Sequence, residues 1–253
     1  FPTMARDLGV SDAMIQRVLI VFTLGYALPH LAVGSAADRF GRRPVLVAGV
    51  LVYAVGSTVC LLTNDFTGLL TGRFIQGLGC AAGSVLARAV LRDLYSGREL
   101  GRMLSFAMVV FTAAPLLAPS IGALILRFTD WHVLFVFLLL VAGLMLYMVL
   151  RLLPETLQTF DSGALSLRGL ARNARALFTD PRSAWTIVEL TLIYGCLMAY
   201  LASTPTLFME HYGLNETQFG LVFASIAATS FLSQPLNARL LRNFTPVQIL
   251  RVV

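Results

Sequence analysis

Charged residues divide this chain into long uncharged stretches. Twenty residues separate Arg17 from Asp38, twenty-one separate Arg43 from Asp65, and twenty-four separate Arg102 from Arg127. Twenty more lie between Asp130 and Arg151, twenty between Glu189 and Glu210, and twenty-two between Glu216 and Arg239. An α-helix rises about 1.5 Å per residue, so each stretch is long enough to cross a hydrocarbon layer about 30 Å thick. A further apolar stretch, roughly 66–90, carries one interior charge, Arg73. The pattern predicts seven membrane-spanning helices with a stub at each end. Residues 1–5 read as the tail of an earlier helix and 246–253 as the start of another. No stretch reads as a cleavable signal peptide.

One connection is long. Within 154–182, Leu167, Leu170, Ala171, Ala174, Leu177 and Phe178 recur at helical spacing, with Arg168, Arg172 and Arg175 on another face. This predicts an amphipathic helix lying at the membrane surface. It divides the chain into a first helical bundle at 1–153, a central loop at 154–182, and the start of a second bundle at 183–253.

Composition agrees with the pattern. Of the 253 residues, 57% are hydrophobic and 13% are charged, which excludes a water-soluble globule and intrinsic disorder. All nineteen basic residues are arginine. The absence of lysine excludes a retinal or pyridoxal Schiff base and a P-loop phosphate site, so a seven-helix retinal pigment is ruled out. Sorted by the predicted spans, fifteen arginines fall on one side, three (Arg6, Arg17 and Arg127) on the other, and Arg73 within the membrane. The arginine-rich side is therefore cytoplasmic. The net charge of +6 is a topology signal and implies no nucleic-acid partner. Cys60, Cys80 and Cys196 sit in apolar stretches and form no paired framework. His30, His132 and His211 are scattered, so neither metal nor cofactor is expected. No nucleophile motif or acid–base cluster supports an enzyme.

Four features carry candidate chemistry. The turn Gly34-Ser35-Ala36-Ala37-Asp38-Arg39-Phe40-Gly41-Arg42-Arg43-Pro44 places three arginines and an aspartate at the inner membrane face. In it, Gly34 is expected to allow close helix approach, Gly41 a sharp turn, and Pro44 the first turn of the next helix. Arg73 lies about 10 Å below the outer end of its span, too deep for a simple anchor. Gln76, Cys80 and Gly83 follow it at helical steps, forming a narrow polar, small-residue face. His30 is a titratable group inside a span, with Tyr26 one turn before it. Pro115 and Pro119 sit four residues apart in Ala114-Pro115-Leu116-Leu117-Ala118-Pro119-Ser120-Ile121-Gly122, where they remove ladder hydrogen bonds and bend the helix.

The inner turn resembles the signature between the second and third helices of the major facilitator superfamily, and the 154–182 loop falls where that superfamily joins its two six-helix halves. Arg73-x-x-Gln76-Gly77-x-Gly79-x-Ala81 resembles its fourth-helix motif, which is associated with proton transfer or substrate binding. The proline-rich segment resembles the fifth-helix motif of its proton-coupled exporters, with Ala114 and Ala123 where glycine is common. Arg88-Ala89-Val90-Leu91-Arg92-Asp93-Leu94-Tyr95, Leu153-Pro154-Glu155-Thr156, and Tyr212-Gly213-Leu214 with Gln218-Phe219-Gly220 resemble the bicyclomycin-resistance (Bcr/CflA) type of drug/proton antiporters. His30 stands where those proteins commonly have glutamine, Pro29 where they have glycine, and His132 where arginine often follows the tryptophan.

The resemblance implies an all-α, polytopic bundle with about seven of twelve helices complete, lacking most of helix 1 and helices 9–12. It implies a conformational latch at Gly34, Asp38, Arg39, Gly41, Arg42 and Arg43, joined by Asp93. It implies a proton or substrate role for Arg73 and Gln76, and an antiporter-type segment at Pro115, Pro119 and Gly122. His30 and Tyr26 join the pathway as candidates from their own positions, with a neutral, hydrogen-bonded packing histidine and a tyrosine facing a neighbouring helix as the alternatives. The expected activity is proton-coupled efflux of small drug-like or amphipathic compounds by a monomer in a bacterial cytoplasmic membrane. Its partners are protons, a small-molecule substrate and the bilayer. Transport of a native metabolite such as a sugar or amino acid is the alternative.

Overall fold

The computed structural model describes residues 2–166, 169–171, 175, 178–215, 218–223, 225 and 228–229. Among them the regular structure is helical, with no strand. Two short helices, α1 (Pro2–Asp7) and α2 (Asp12–Ile15), lead into α3 (Arg17–Ala27) and α4 (His30–Phe40). Long helices follow: α5 (Arg42–Leu62), α6 (Phe66–Leu94), α7 (Gly97–Leu126), α8 (His132–Leu152) and α9 (Pro181–Pro205), the last running into a π-helical turn at Thr206–His211.

Among the described residues, four stretches are long and apolar enough to cross a membrane: Ala13–Phe40, Arg42–Leu62, Phe66–Leu94 and His132–Leu152. The predicted fifth-helix span falls within the 30-residue α7. The predicted span at 190–209 falls on α9 and the turn that follows it. Most of the span expected at 217–238, and all of the stub at 246–253, lie outside the described residues. So do Leu167, Arg168, Arg172, Ala174 and Leu177 of the expected amphipathic helix, although Gly169–Ala171 is helical.

The first span differs from its prediction by being broken. Leu28 N still donates to Leu24 O at 3.0 Å, but Pro29 has no N–H to continue the ladder, and the helix restarts at His30. A proline inside a span explains the interruption. In α7 the helical assignment runs unbroken through Pro115 and Pro119, whose side chains lie outside the described residues.

The helices form two compact units. The first comprises 1–104 and 129–203, the second 105–128 and 204–253. In the first, α5 packs face to face on α6 through glycines. A Cβ at Gly56 would meet the backbone of Gly72 and Gln76, leaving room for hydrogen alone. Ala37, Leu46, Ala82, Leu86 and Val149 make a buried cluster in the inner half. Trp131, Phe135 and Leu69 are fully buried in the outer half. Large apolar side chains such as Leu140, Leu144 and Tyr147 on α8 are exposed, as expected of a face turned to lipid.

The loops at each end of these helices meet one another. At the end read as outer, Trp131 Nε1 donates to Asp7 Oδ2 at 3.0 Å, and His132 Nε2 lies 3.3 Å from Thr63 O. Asp65 caps α6, its Oδ2 accepting from Gly68 N at 3.0 Å. The Thr63 hydroxyl first, and then the Gly68 N–H, hold the Asp65 carboxyl below its ordinary value. Asp38, Asp93 and Glu155 gather at the other end.

Candidate functional site

The inner site is built on the join between α4 and α5. Gly41 closes α4 and precedes α5 with φ of 102°, a conformation that a Cβ would strain. A Cβ there would also run into the Glu155 carboxylate. This turn aims Arg42 at two carboxylates: Nη1 lies 2.7 Å from Asp38 Oδ1 and Nε 3.2 Å from Asp93 Oδ2. Thr156 Oγ1 donates to the same Asp93 oxygen at 3.1 Å. Arg42 thus ties the end of α4, the start of α5 and the end of α6 together.

Glu155, which the sequence reading named only within the Leu153-Pro154-Glu155-Thr156 turn, joins this cluster. It lies three residues beyond α8, yet it caps α5. Its Oε1 accepts from Arg42 N at 2.8 Å and its Oε2 from Arg43 N at 3.1 Å. Oε1 also accepts from Thr156 N and Leu157 N within its own turn. Partial burial raises the carboxyl pKa, but the backbone N–H groups of Leu157, Arg42, Arg43 and Thr156 outweigh it and hold the group below the ordinary glutamate value. An acid between proline and threonine just past a helix end was the available signal, but nothing local points to a helix start over a hundred residues earlier.

The other residues of the expected latch separate. Arg43 Nη2 donates to Leu150 O at 2.6 Å, while its Nε is buried without a hydrogen-bond partner among the described residues. Arg39 is exposed and lies over the Phe40 ring, 5.2 Å from its centroid. Gly34 corrects its expectation: no described atom lies within 4 Å of where its Cβ would stand. The close approaches occur instead at Gly25 of α3 and the glycines of α5 and α6.

Within the membrane, Arg73 begins a polar line. Its Nη1 donates to Gln76 Oε1 at 3.1 Å, Gln76 Nε2 to Ser57 Oγ at 2.7 Å, and Ser57 Oγ to Tyr53 O at 2.9 Å. The guanidinium carbon lies 5.0 Å from the centroid of Phe135, so α8 supplies an aromatic face where a carboxylate would be usual. Arg73 Nε is buried with no hydrogen-bond partner among the described residues. Both ion pairs among the described residues belong to Arg42. Gln76 and Ser57 are fully buried. Ser57 was absent from the sequence reading, although Tyr53 and Ser57 stand one turn apart on one face. Cys80 and Gly83 do not join the line.

His30, at the restart of the broken span, makes a second polar knot. Its Nδ1 is 2.6 Å from Tyr26 O and its Nε2 is 3.3 Å from Ser84 Oγ. The Tyr26 ring meets the imidazole edge to face at 4.6 Å. Tyr26 and His30 therefore lie together, and Ser84 is an unforeseen third member. In the second unit, Ser120 Oγ of α7 donates to Gly220 O at 2.9 Å. Gly122 has no described atom within 4 Å of its Cβ position.

A family model described as Major Facilitator Superfamily matches residues 1–253. The chain belongs to the major facilitator superfamily. Members of this superfamily are membrane transporters, and the apolar helices above make the chain a multi-pass membrane protein. It is 32% identical to a bicyclomycin resistance protein homolog of Haemophilus influenzae, over all of this chain and 63% of the relative. It is 32% identical to the MFS-type transporter YdgK of Bacillus subtilis over 88% of this chain and 56% of that protein. With the multidrug resistance protein MdtL of Klebsiella pneumoniae the identity is 30%, covering 97% of this chain and 62% of the relative. The chain thus spans about three fifths of the length of the curated relatives it matches. The crystal structure of the human organic anion transporter MFSD10 (TETRAN) shares the fold, with a TM-score of 0.64 at 21% identity, covering 89% of this chain and 58% of that one.

Proposed function

We propose that this major facilitator chain is part of a proton-coupled exporter of drug-like or amphipathic compounds in a bacterial cytoplasmic membrane. The observation that carries the reading is Arg73. An arginine inside a span costs at least about 2.5–3.5 kcal/mol on insertion scales, so its presence there points to function. It is held by Gln76 and Phe135 and has no carboxylate partner among the described residues. The names of the bicyclomycin-resistance and multidrug-resistance relatives support drug-like substrates.

In this mechanism two helical bundles, joined through 154–182, rock about a central site and expose it to each side in turn. Proton binding favours one orientation and drug binding the other. Asp38, Arg42, Asp93 and Glu155 form the latch that holds the inner ends of the first bundle together. Arg73, Gln76, His30 and Tyr26 form the polar pathway.

The test uses the full-length protein in inverted membrane vesicles. Bicyclomycin and the fluorescent amphipathic cation ethidium are followed with and without an imposed pH gradient. Gradient-driven movement of either compound is expected in the wild type, and Arg73→Ala is expected to reduce it to the empty-vesicle level at unchanged membrane insertion. Wild-type transport in that variant removes Arg73 from the mechanism.

A further inference from the structure

The acids of the inner turn are already engaged. Asp38 and Asp93 pair with Arg42, and Glu155 accepts from the amides of Arg42, Arg43, Thr156 and Leu157. Two arginines at the inner ends of α5 and α8, Arg43 and Arg151, have no ion pair among the described residues. Helix α8 itself supplies no carboxylate, since no acid occurs between Asp130 and Glu155.

Arg43 does not extend into water as a topology anchor would. Pro154, four residues after Leu150, has no N–H to offer the Leu150 carbonyl, and Arg43 Nη2 supplies the donor instead at 2.6 Å. That bond draws the guanidinium of α5 to the residue beside Arg151, and its Nε is buried. Two positive charges are thereby gathered at one helix end. The negative end of the α8 dipole offsets part of their repulsion, but about half a charge does not balance two.

Arg151 also ends a stripe. Leu140, Leu144, Tyr147 and Arg151 follow one another at steps of four, three and four, so they share one face of α8. All four are exposed, whereas Phe135, Ala142 and Val149 of the same helix are buried. Eleven residues separate Leu140 from Arg151, about 16 Å of helix, which matches one leaflet of a hydrocarbon layer about 30 Å thick. Tyr147 lies one turn inside the charge, where its amphipathic ring suits the headgroup boundary. An apolar strip one leaflet long, ending in an aromatic ring and two guanidinium groups, has the dimensions and the charge to receive one anionic phospholipid.

We propose that this face binds an anionic phospholipid of the inner leaflet, with its phosphodiester held by Arg43 and Arg151 and an acyl chain lying along Tyr147, Leu144 and Leu140. Guanidinium groups suit this ligand because they meet phosphate oxygens through two N–H groups at once. A second copy of the chain fits the face poorly. A two-fold axis along the membrane normal would set Arg43 and Arg151 against their own images, with no acid on α8 to separate them. The bound lipid bridges the start of α5 and the end of α8, the same two helix ends that Glu155 joins. The proposal goes beyond the transport reading and stands whichever compound is carried.

Native mass spectrometry of the full-length protein in a mild detergent tests it, with dioleoyl phosphatidylglycerol and dioleoyl phosphatidylcholine titrated separately. The monomer is expected to retain one phosphatidylglycerol in preference to phosphatidylcholine. An arginine near an anionic lipid contributes about fivefold. Arg151→Gln, at an exposed position without an ion pair among the described residues, should therefore weaken phosphatidylglycerol retention about fivefold, and the double change with Arg43→Gln about thirtyfold. The paired change Arg98→Gln and Arg102→Gln, exposed on the same side in α7, should leave retention as in the wild type. Dihexanoyl phosphatidylglycerol, too short to reach Leu140, should bind more weakly than the dioleoyl lipid. Equal retention of the two headgroups, wild-type retention by Arg151→Gln, or an equal loss in the Arg98 and Arg102 variant overturns the proposal in favour of diffuse attraction to a basic face. Displacement of the lipid by millimolar inorganic phosphate makes this a free-anion site, and a lipid-free dimer tightened by Arg151→Gln makes it a self-association surface; either result also overturns it.

Discussion

Replacing Glu155 with alanine removes the cap that the end of one helix supplies to the start of another. In the wild type its two oxygens accept from Arg42 N and Arg43 N, the first amides of α5, and from Thr156 N and Leu157 N. Losing an N-cap costs about 1 kcal/mol, and a carboxylate at a helix N-terminus adds about 0.3–1 kcal/mol. Glu155 is exposed, so solvent screening keeps the total near the lower value, about 1 kcal/mol. That corresponds to a roughly fivefold rise in opening of the first turn of α5. Amide hydrogen exchange on the full-length protein reads it directly at residues 42 and 43. Glu155→Gln keeps one acceptor but turns an N–H donor toward Arg43 N, and it should fall between wild type and alanine. The pH dependence has a fixed sign. The folded carboxyl titrates below its ordinary value, so its contribution is complete above about pH 4.3 and disappears as pH falls through the folded value. The wild-type advantage should be flat from about pH 5 to 8 and shrink below about pH 4. Unchanged exchange at the two amides, or an advantage that grows only at alkaline pH, refutes the capping argument.

Other consequences follow from the packing and the ion pairs. A double-mutant cycle between Arg42 and Asp93, each changed to alanine, should give a coupling of about 0.5–1 kcal/mol in thermal unfolding, falling as salt is raised. Gly56→Val pushes a side chain into the backbone of Gly72 and Gln76 and should destabilise the first unit by more than about 2 kcal/mol in a detergent melt. Gly34→Ala, by contrast, meets open space and should be neutral or stabilising by up to about 1 kcal/mol, since alanine is the better helix former.

The spans at Ala13–Phe40, Arg42–Leu62, Phe66–Leu94 and His132–Leu152 were legible because charge spacing has one physical cause, the width of the bilayer. The Arg42–Asp38 pair was legible only as a cluster of three arginines and an aspartate in one turn, because the Gly41 bend rather than a continuous helix brings the two side chains together. Arg73–Gln76 was legible because three residues lie on one helix face. What escaped notice was long-range. Ser57 meets Gln76 across nineteen residues and Ser84 meets His30 across fifty-four. Serines are common in membrane helices, and only helix rotation decides which of them face a partner. Prolines mislead for a related reason: Pro29 interrupts its span while α7 runs through Pro115 and Pro119. Whether a freed carbonyl finds another donor depends on neighbouring helices, which local sequence does not contain.

The two polar systems differ in the energy needed to break them, and that difference decides which can move. Each contact of the inner turn is partly exposed: the Asp38 side chain is 46% accessible and that of Asp93 24%. Exposed ion pairs are worth at most about 1 kcal/mol each, so the two pairs of Arg42 with the Glu155 cap total about 2–3 kcal/mol. That biases a two-state equilibrium by roughly 30- to 150-fold, a margin that a ligand with modest differential affinity reverses. Arg73 stands apart, since stranding a buried charge costs about 3–5 kcal/mol. In the proposed rocking cycle, the inner turn is therefore the part that opens and closes, while the Arg73–Gln76–Ser57 line travels intact with its bundle. Amide exchange near residues 38–43 should respond to substrate and to pH gradient, and exchange near residues 73–76 should respond to neither. The reverse pattern would place the moving joint in the membrane interior and make the inner turn a static clamp.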